Sequence, residues 1–180
     1  MKKVILMTCQ YKNAKLIASG KKLIDIRKKS IDIDDKIDVY LYCCKNKSES
    51  FLYNNEMNDI IINNHDGGFN GKIFGKFTID KYSICKFKLL NNGVKFFEID
   101  SNCYSLLSLV RNSCESINNI EKYLGKNKFG YFWSFNNFTK FNNPINLSDF
   151  YIIKNTKYIP VNVPPQSFIY AYIDEEKNYL

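Results

Sequence analysis

The hydrophobic and polar positions of this chain mostly follow the two-residue period of β-strands. Apolar and polar side chains alternate around Asp25, and short apolar runs of strand length recur toward the C-terminal end. Asn91-Asn92-Gly93, between two such segments, is typical of a tight hairpin turn. The predicted strands are residues 4–7, 22–28, 38–44, 71–79, 85–90, 94–99, 129–135 and 168–173.

Few segments carry the 3.6-residue period of a helix. Residues 11–19 form one apolar face and precede Gly20, a residue suited to end a helix. Residues 116–124 form another, with Ser116 as the N-cap. We also expect a short helix at residues 58–62 and one helical turn at 147–151.

Short strands with few helices predict an α+β fold, a small mixed β-barrel with peripheral helices. A doubly wound parallel sheet fits less well, because it needs a helix after nearly every strand. The polar residues at about 46–70 are expected to form a variable loop insertion. A chain of 180 residues is expected to fold as a single domain covering 1–180.

The composition excludes a disordered chain and a membrane-spanning helix. Hydrophobic residues make up 45% of the chain, and no apolar run approaches the roughly 20 residues that span a bilayer. We therefore expect a cytoplasmic protein without a membrane partner. The six cysteines contain no Cys-x-x-Cys pair and the one histidine, His65, lies in the insertion, so no metal site is expected. No glycine-rich phosphate loop is present, and no cofactor is expected.

The net charge is concentrated at the N-terminal end. The first 30 residues hold nine basic side chains and one acid, Asp25, an excess equal to the net charge of +8 of the whole chain. The other 150 residues hold 17 basic and 17 acidic side chains. Such clustering points to an anionic partner.

Several motifs follow one another in a fixed order along the chain. A strand and a helix lead into Gly-x-Lys-x-x-acid-x-Arg, formed by Gly20, Lys22, Asp25 and Arg27. An aromatic strand ending in Lys45 and the segments 70–77, 123–125, 130–135 and 164–168 come after it. This order resembles the ASCH domain, a branch of the PUA-like superfamily, and is similar to its phage and prophage type in low-G+C bacteria. The resemblance implies a PUA-like barrel.

Three positions depart from the pattern of that family. The acid of the first motif is more often Glu, where this chain has Asp25. A frequent Gly-Glu is replaced by Gly75-Lys76, and a frequent His after the tryptophan is replaced by Ser134. Each change removes or shortens an acid–base group, which puts catalysis in doubt.

The cluster of Lys22, Asp25 and Arg27 is the clearest candidate for a functional site. On a strand, Asp25 and Arg27 share one face while Lys22 points the other way. The resemblance implies a cleft in which Asp25 holds Arg27 and the planar guanidinium meets phosphate. From the residues alone, an ion pair that only fixes the strand is an equal alternative.

Further candidates follow from the resemblance and from the N-terminal charge. Trp133 would stack a base beside the cleft, although most of its aromatic stripe is expected to be core. Gln166 and Ser167 would form hydrogen bonds to the edge of a ligand. The alternative is that Pro164-Pro165 only gives this segment an extended approach to the last strand. The predicted ligand-binding residues are Lys21, Lys22, Asp25, Arg27, Lys45, Trp133, Gln166 and Ser167. The leading hypothesis is nucleic-acid binding, with RNA favoured over DNA, at an unpaired or modified base.

Two other functions stay open. Some ASCH relatives are amidohydrolases of acetylated cytidine that use a Lys, a Thr and a Glu. Lys22 matches the Lys, Asp25 stands at the Thr position, and no Glu is matched, so the catalytic candidates for such a hydrolase or a ribonuclease are Lys22 and Asp25. The third hypothesis is a phage accessory protein that binds a host protein.

Overall fold

The described part of the chain is built mainly of short strands, with helices between them. The computed structural model describes residues 1–31, 33, 35–45, 50–53, 60–63, 69–91, 93–97, 105–135 and 137–174. The strands of these residues are β1 (Lys2–Cys9), β2 (Ile24–Arg27), β3 (Ile37–Cys43), β4 (Ser50–Tyr53), β5 (Ile60–Asn63), β6 (Ile73–Ile79), β7 (Ile84–Leu90), β8 (Gly93–Phe97), β9 (Phe129–Ser134), β10 (Thr139–Ile145), β11 (Phe150–Lys154), β12 (Lys157–Pro160) and β13 (Phe168–Ile173). The helices are α1 (Tyr11–Ala18), α2 (Leu106–Ser113) and α3 (Ile117–Leu124), and a 3-10 turn covers Leu147–Asp149. No helix in these ranges is long and apolar enough to cross a membrane.

The strands form open sheets, where the sequence predicted a barrel. One sheet has the order β10-β6-β3-β1-β13-β11-β12, another has the order β2-β9-β7-β8, and β4 pairs with β5. Within the described residues no sheet closes on itself, because the edge strands of each sheet do not pair with one another. The prediction of a closed β-barrel is therefore wrong for this part of the chain, while the mixed α+β class is confirmed.

Contacts within the chain divide it into two compact units. The first unit contains Met1–Ser19, Ile37–Thr78 and Asn137–Leu180. Its seven-stranded sheet pairs β1 in parallel with β3 and antiparallel with β13. One buried cluster of this unit lies around Val4, Leu6 and Phe150. Helix α1 contributes Ala14 and Ile17 as buried residues.

The second unit contains Gly20–Lys36 and Ile79–Asn136. Its four-stranded sheet is antiparallel throughout. Alternate residues of the strands point to one face and pack with α2 and α3 around a buried core. That core contains Ile24, Ile26, Cys85, Phe87, Leu89, Phe96, Leu109, Ile120, Leu124 and Phe132. The opposite face carries the residues of functional interest.

Most predicted elements are confirmed, with changed boundaries. Helix α3 begins after Ser116, whose side chain accepts a hydrogen bond from the Asn119 backbone N–H, and it ends at Gly125. Gly20 follows α1 with a φ of 68°, the left-handed conformation that ends a helix. The predicted turn near 147–151 is confirmed as the 3-10 turn.

Several elements differ from the prediction, and among them the strands β4 and β10 were not predicted. Residues 60–62 of the predicted helix 58–62 lie in β5, since a run of β-branched isoleucines favours a strand; residues 58 and 59 lie outside the described residues. Helix α2 and the hairpin of β11 and β12 were not predicted. The predicted strand 94–99 is confirmed as far as residue 97, beyond which the residues are not described.

Candidate functional site

The three charged residues of the first motif form one ionic cluster. Asp25 and Arg27 lie on the same face of β2, and Arg27 Nε donates to Asp25 Oδ2 at 2.6 Å. Lys22 Nζ lies 3.4 Å from the other carboxylate oxygen. The strand period predicted that Lys22 would point away from Asp25. That prediction is wrong, because Lys22 lies before the strand begins and is not bound by its two-residue period. Its long side chain extends to the Asp25 carboxylate.

Lys22 is held at the C-terminal end of α2. Its Nζ donates to the backbone carbonyl of Ser113 at 2.7 Å, in a buried position. The backbone N–H of Leu23 donates to the carbonyl of Asn112 at 2.8 Å, which fixes the chain before β2 against the same helix end. The last carbonyls of a helix lack partners within the helix and favour a cation. Lys22 therefore satisfies a helix end and a carboxylate at once.

The three side chains of the cluster are largely buried. Lys22 is 2% exposed and Asp25 is 8% exposed. The side chains of Asp25 and Arg27 are each 11% exposed, and Arg27 is the last residue of β2. The cluster has the geometry of the structural ion pair that the sequence left open, since all three of its side chains are mostly out of water.

Trp133 lies beside the cluster in the sheet. Asp25 is the cross-strand partner of Trp133, so both side chains point to the same face. Trp133 is completely buried, and Ser134, which pairs with Ile24, is buried as well. The tryptophan expected to stack a base therefore does not present its ring to solvent in this structure.

Farther along the same face, the strands present cations and aromatic rings side by side. One row crosses the whole sheet as Arg27, Tyr131, Lys86 and Phe97. The next row reads Phe129, Lys88 and Lys95. We name these two rows the cationic face. Its residues are Arg27, Lys86, Lys88, Lys95, Phe97, Phe129 and Tyr131.

The lysines of the cationic face lie against its phenylalanine rings. Lys86 Nζ is 5.6 Å from the ring centroids of both Phe97 and Phe129. Lys88 Nζ is 4.9 Å from the centroid of Phe129, and Lys95 Nζ is 5.3 Å from that of Phe97. The two ring centroids are 6.0 Å apart, and Phe129 is 38% exposed. These distances are within the range of cation–π attraction, so the ammonium groups lie over the two rings.

Sequence reasoning missed most of the cationic face. The alternation Lys86-Phe87-Lys88 already places both lysines on one side of a strand, and this signal was available. The order of the strands was not available, because residues 27, 86, 97 and 131 meet only through the pairing of four segments that are far apart in the chain. Of the predicted ligand residues, only Arg27 belongs to this face.

The other predicted ligand residues lie elsewhere. Lys21 is exposed, and its backbone carbonyl accepts a weak hydrogen bond from the Cys114 thiol at 3.2 Å. Lys45, Gln166 and Ser167 belong to the first unit. Lys45 lies across Gly71, where a side chain would come within 2.7 Å of Lys45 Cγ. Gln166 is exposed, and the Ser167 carbonyl accepts from the backbone N–H of Thr8 at 2.9 Å.

A second ionic cluster lies in the first unit, around Asp38. Thr78 Oγ1 donates to Asp38 Oδ1 at 2.7 Å. Lys76 Nζ and Lys2 Nζ lie 3.3 Å and 3.4 Å from Asp38 Oδ2. Burial raises the pKa of Asp38, but the Thr78 hydrogen bond and the charges of Lys76 and Lys2 outweigh it and lower the pKa. Lys76, where the ASCH family often has Glu, therefore pairs with a carboxylate from β3.

The described cysteines and acids do not group as metal ligands. Among the described residues, no group of three or more His, Cys, Asp or Glu side chains is placed to hold a metal ion. His65 and Cys103 lie outside the described residues. Burial and the neighbouring Cys44 raise the pKa of the Cys43 thiol to about 12, more than the hydrogen bond at the Gly71 backbone lowers it. Such a thiol is a poor nucleophile at neutral pH.

The fold is similar to that of an ASCH domain protein of known structure. The crystal structure of ASCH from Zymomonas mobilis matches with a TM-score of 0.53 and 14% identity, over 96% of this chain and 88% of that one. A serine-to-alanine mutant of the same Zymomonas mobilis protein matches with a TM-score of 0.51 and 15% identity, over 96% and 89% of the two chains. No protein-family model and no curated protein sequence matches this chain. At this identity the likeness defines the fold, which agrees with the resemblance of the motifs.

Proposed function

We propose that this protein binds nucleic acid, with RNA favoured over DNA, and that the cationic face is the contact surface. One observation carries the proposal: cations and aromatic rings lie at neighbouring positions in two rows of a single sheet face. Phosphate groups require positive charge and bases require flat apolar surfaces. A surface that supplies both at neighbouring positions suits a nucleic-acid strand.

The ionic cluster supports the proposal by fixing one cation of the face. Asp25 holds the Arg27 side chain through its Nε, and Lys22 ties the same carboxylate to the end of α2. A guanidinium held in place loses little conformational freedom when it binds phosphate. In this proposal Lys22 and Asp25 position Arg27, and Arg27 contacts the ligand.

Charge outside the sheet supports the same partner. Lys21, Lys28 and Lys29 flank the Lys22–Arg27 motif and are exposed. They add to the excess of positive charge in the first 30 residues, which attracts phosphates without regard to base sequence. The ASCH fold, by the resemblance of its motifs, favours RNA and selection of an unpaired or modified base.

Salt dependence tests the proposal. We expect a fluorescently labelled, unstructured RNA to bind the wild-type protein with a slope of log K against log salt of about −3, for roughly four neutralised phosphates. The variant Lys86→Gln/Lys88→Gln should reduce the magnitude of that slope by about 1.4, because two phosphate contacts are lost. Fluorescence anisotropy between low and physiological salt gives both numbers.

A matched control removes the same charge from outside the sheet. Lys122→Gln/Lys126→Gln replaces two exposed lysines of the same unit that lie on or just after α3. It should leave the slope near that of the wild type. Absent binding, binding that does not respond to salt, or an equal change in both double variants would contradict the proposal.

A further inference from the structure

The cationic face resembles a known arrangement for stacking unpaired bases. Its sheet has four antiparallel strands, with α2 and α3 packed on the opposite side. Four-stranded sheets that recognise RNA use exposed aromatic rings to stack two or three bases. Phe97 and Phe129 stand at diagonal positions of this face, with lysines on neighbouring positions.

The distance between the two rings limits the form of the nucleic acid. Their centroids are 6.0 Å apart and their planes are inclined by 37°. Consecutive bases along a duplex strand are about 3.4 Å apart and stack on each other. Two consecutive bases that each cover one of these rings must therefore be separated from one another, which a paired strand does not allow.

The lysines beside the rings set the charge of the ligand. Lys86 lies at equal distance from both rings, and Lys88 and Lys95 each lie against one. A strand that stacks bases on Phe97 and Phe129 brings the phosphate between those bases toward Lys86. The face thus matches one dinucleotide step, two bases and the phosphate that joins them.

We infer that the cationic face binds an unpaired nucleic-acid strand by stacking two consecutive bases on Phe97 and Phe129. The inference rests on the proposed function and adds the form of the ligand and the residues that hold its bases. Stacking accepts every base, because each has a flat π surface, so the face selects unpaired strands and discriminates little between sequences.

Replacement of the rings tests the inference in the full-length protein. Phe97→Leu and Phe129→Leu keep an apolar side chain and the charge of the face. Each is expected to weaken binding of an eight-nucleotide unstructured RNA about 5- to 150-fold, the loss that corresponds to one stacked base. The salt slope should stay unchanged, since no phosphate contact is removed. Circular dichroism and the melting temperature confirm that each variant is folded.

The control variant and the competitors complete the experiment. Tyr123→Leu removes an exposed ring of α3 that also lies under a lysine, Lys28 at 5.2 Å, and it should bind as the wild type does. Single-stranded RNA and single-stranded DNA of the same sequence should both compete better than the matching duplex. A 2-aminopurine base in the RNA should change its fluorescence on binding to the wild type and not on binding to the double variant Phe97→Leu/Phe129→Leu.

The outcomes separate the two claims. If the leucine variants bind as tightly as the wild type while Lys86→Gln/Lys88→Gln binds more weakly, the stacking inference is overturned and the proposed function stands. Equal competition by duplex and single strand overturns the inference in the same way. If the wild-type protein binds none of these nucleic acids, the proposed function fails and the inference fails with it.

Discussion

The carboxylate of Asp25 joins two cations that come from different directions of the fold. Lys22 reaches it from the segment anchored to α2, and Arg27 reaches it along β2. A buried charge that loses its partner is far more costly than an exposed pair, because it remains out of water without compensation. The cluster therefore ties the stability of the second unit to the position of the one arginine of the cationic face.

Removal of this carboxylate should destabilise the protein more than removal of either neighbour. Asp25→Asn removes the buried carboxylate that both Lys22 and Arg27 contact, and we expect a loss of about 3–5 kcal/mol in the free energy of unfolding. Lys22→Met leaves the Ser113 carbonyl without this donor and should cost about 1–3 kcal/mol.

The neighbouring exposed lysine provides the control for this comparison. Lys21→Met should change the stability by no more than about 0.5 kcal/mol. Urea unfolding followed by circular dichroism measures all three variants, with an unchanged denaturant slope as the sign that the folded state is intact. A wild-type stability in Asp25→Asn would show that the cluster is not coupled to folding.

Strand order explains why Asp38 has cations on both sides. It lies on β3, between β6 with Lys76 and Thr78 and β1 with Lys2. Its pKa is lowered below the ordinary value of 3.8, so the folded state binds this proton less readily than the unfolded state. The contribution to stability is therefore complete above the ordinary pKa and is lost as the pH falls through the lowered one.

An acid titration tests this coupling between strands. At neutral pH, the free energy of unfolding of Asp38→Asn should be about 1–2 kcal/mol lower than that of the wild type. The reason is that the substitution replaces a carboxylate, which accepts from a hydroxyl and pairs with partly exposed ammonium groups, by a neutral amide. Below about pH 4 the difference should narrow, because the unfolded wild type then binds this proton, and it should vanish once the pH has fallen through the lowered pKa of the folded carboxylate. Thermal or urea unfolding from pH 7 to pH 2 measures it, and a difference that widens toward low pH would refute the assignment.

The helices α2 and α3 differ in how clearly the sequence predicted them. Helix α3 has an N-cap serine, a clear apolar face and a final glycine, so its boundaries were predicted within one residue. Helix α2 has a capping box of Ser105 and Ser108 and was missed, because Ser108 stands where a capping box recognisable from sequence has Glu or Gln. The missed helix end is the partner of Lys22, so the role of that lysine was not predictable either.

Each unit of the molecule is assembled from separated stretches of chain. The chain passes between the two units four times, so neither unit is a continuous segment. Each segment of one unit is therefore joined by the chain to a segment of the other unit, and unfolding of one unit frees an end of the segments that follow or precede it. The prediction of a single domain remains a prediction, and cooperative unfolding would be its signature.

Thiol labelling tests this cooperativity. Cys43 in the first unit and Cys85 in the second are buried, whereas Cys44 and Cys114 are partly exposed. We expect a neutral-pH pulse of iodoacetamide to label Cys44 and Cys114 first. Cys43 and Cys85 should become labelled together over one range of urea concentration, since both thiols become accessible only when the fold opens.

Mass spectrometry of the labelled peptides reads each cysteine separately. Protein labelled in concentrated denaturant, where every thiol reacts, gives the reference signal for each peptide. Labelling of Cys85 at much lower urea than Cys43 would contradict cooperative unfolding and would show that the second unit opens alone.

The sequence by itself determined the alternation of the strands, the glycines that end helices, the pairing of Asp25 with Arg27 and the excess of positive charge near the N-terminus. These properties depend on residues close together in the chain, where side-chain period and backbone preference act directly. Only the tertiary structure decided which strands are neighbours, and with them the open sheets, the enclosure of Lys22 and the cationic face. Four distant segments meet at that face through backbone hydrogen bonds. Backbone N–H and C=O groups are nearly the same in every residue, so the amino-acid sequence does not show directly which strands they join.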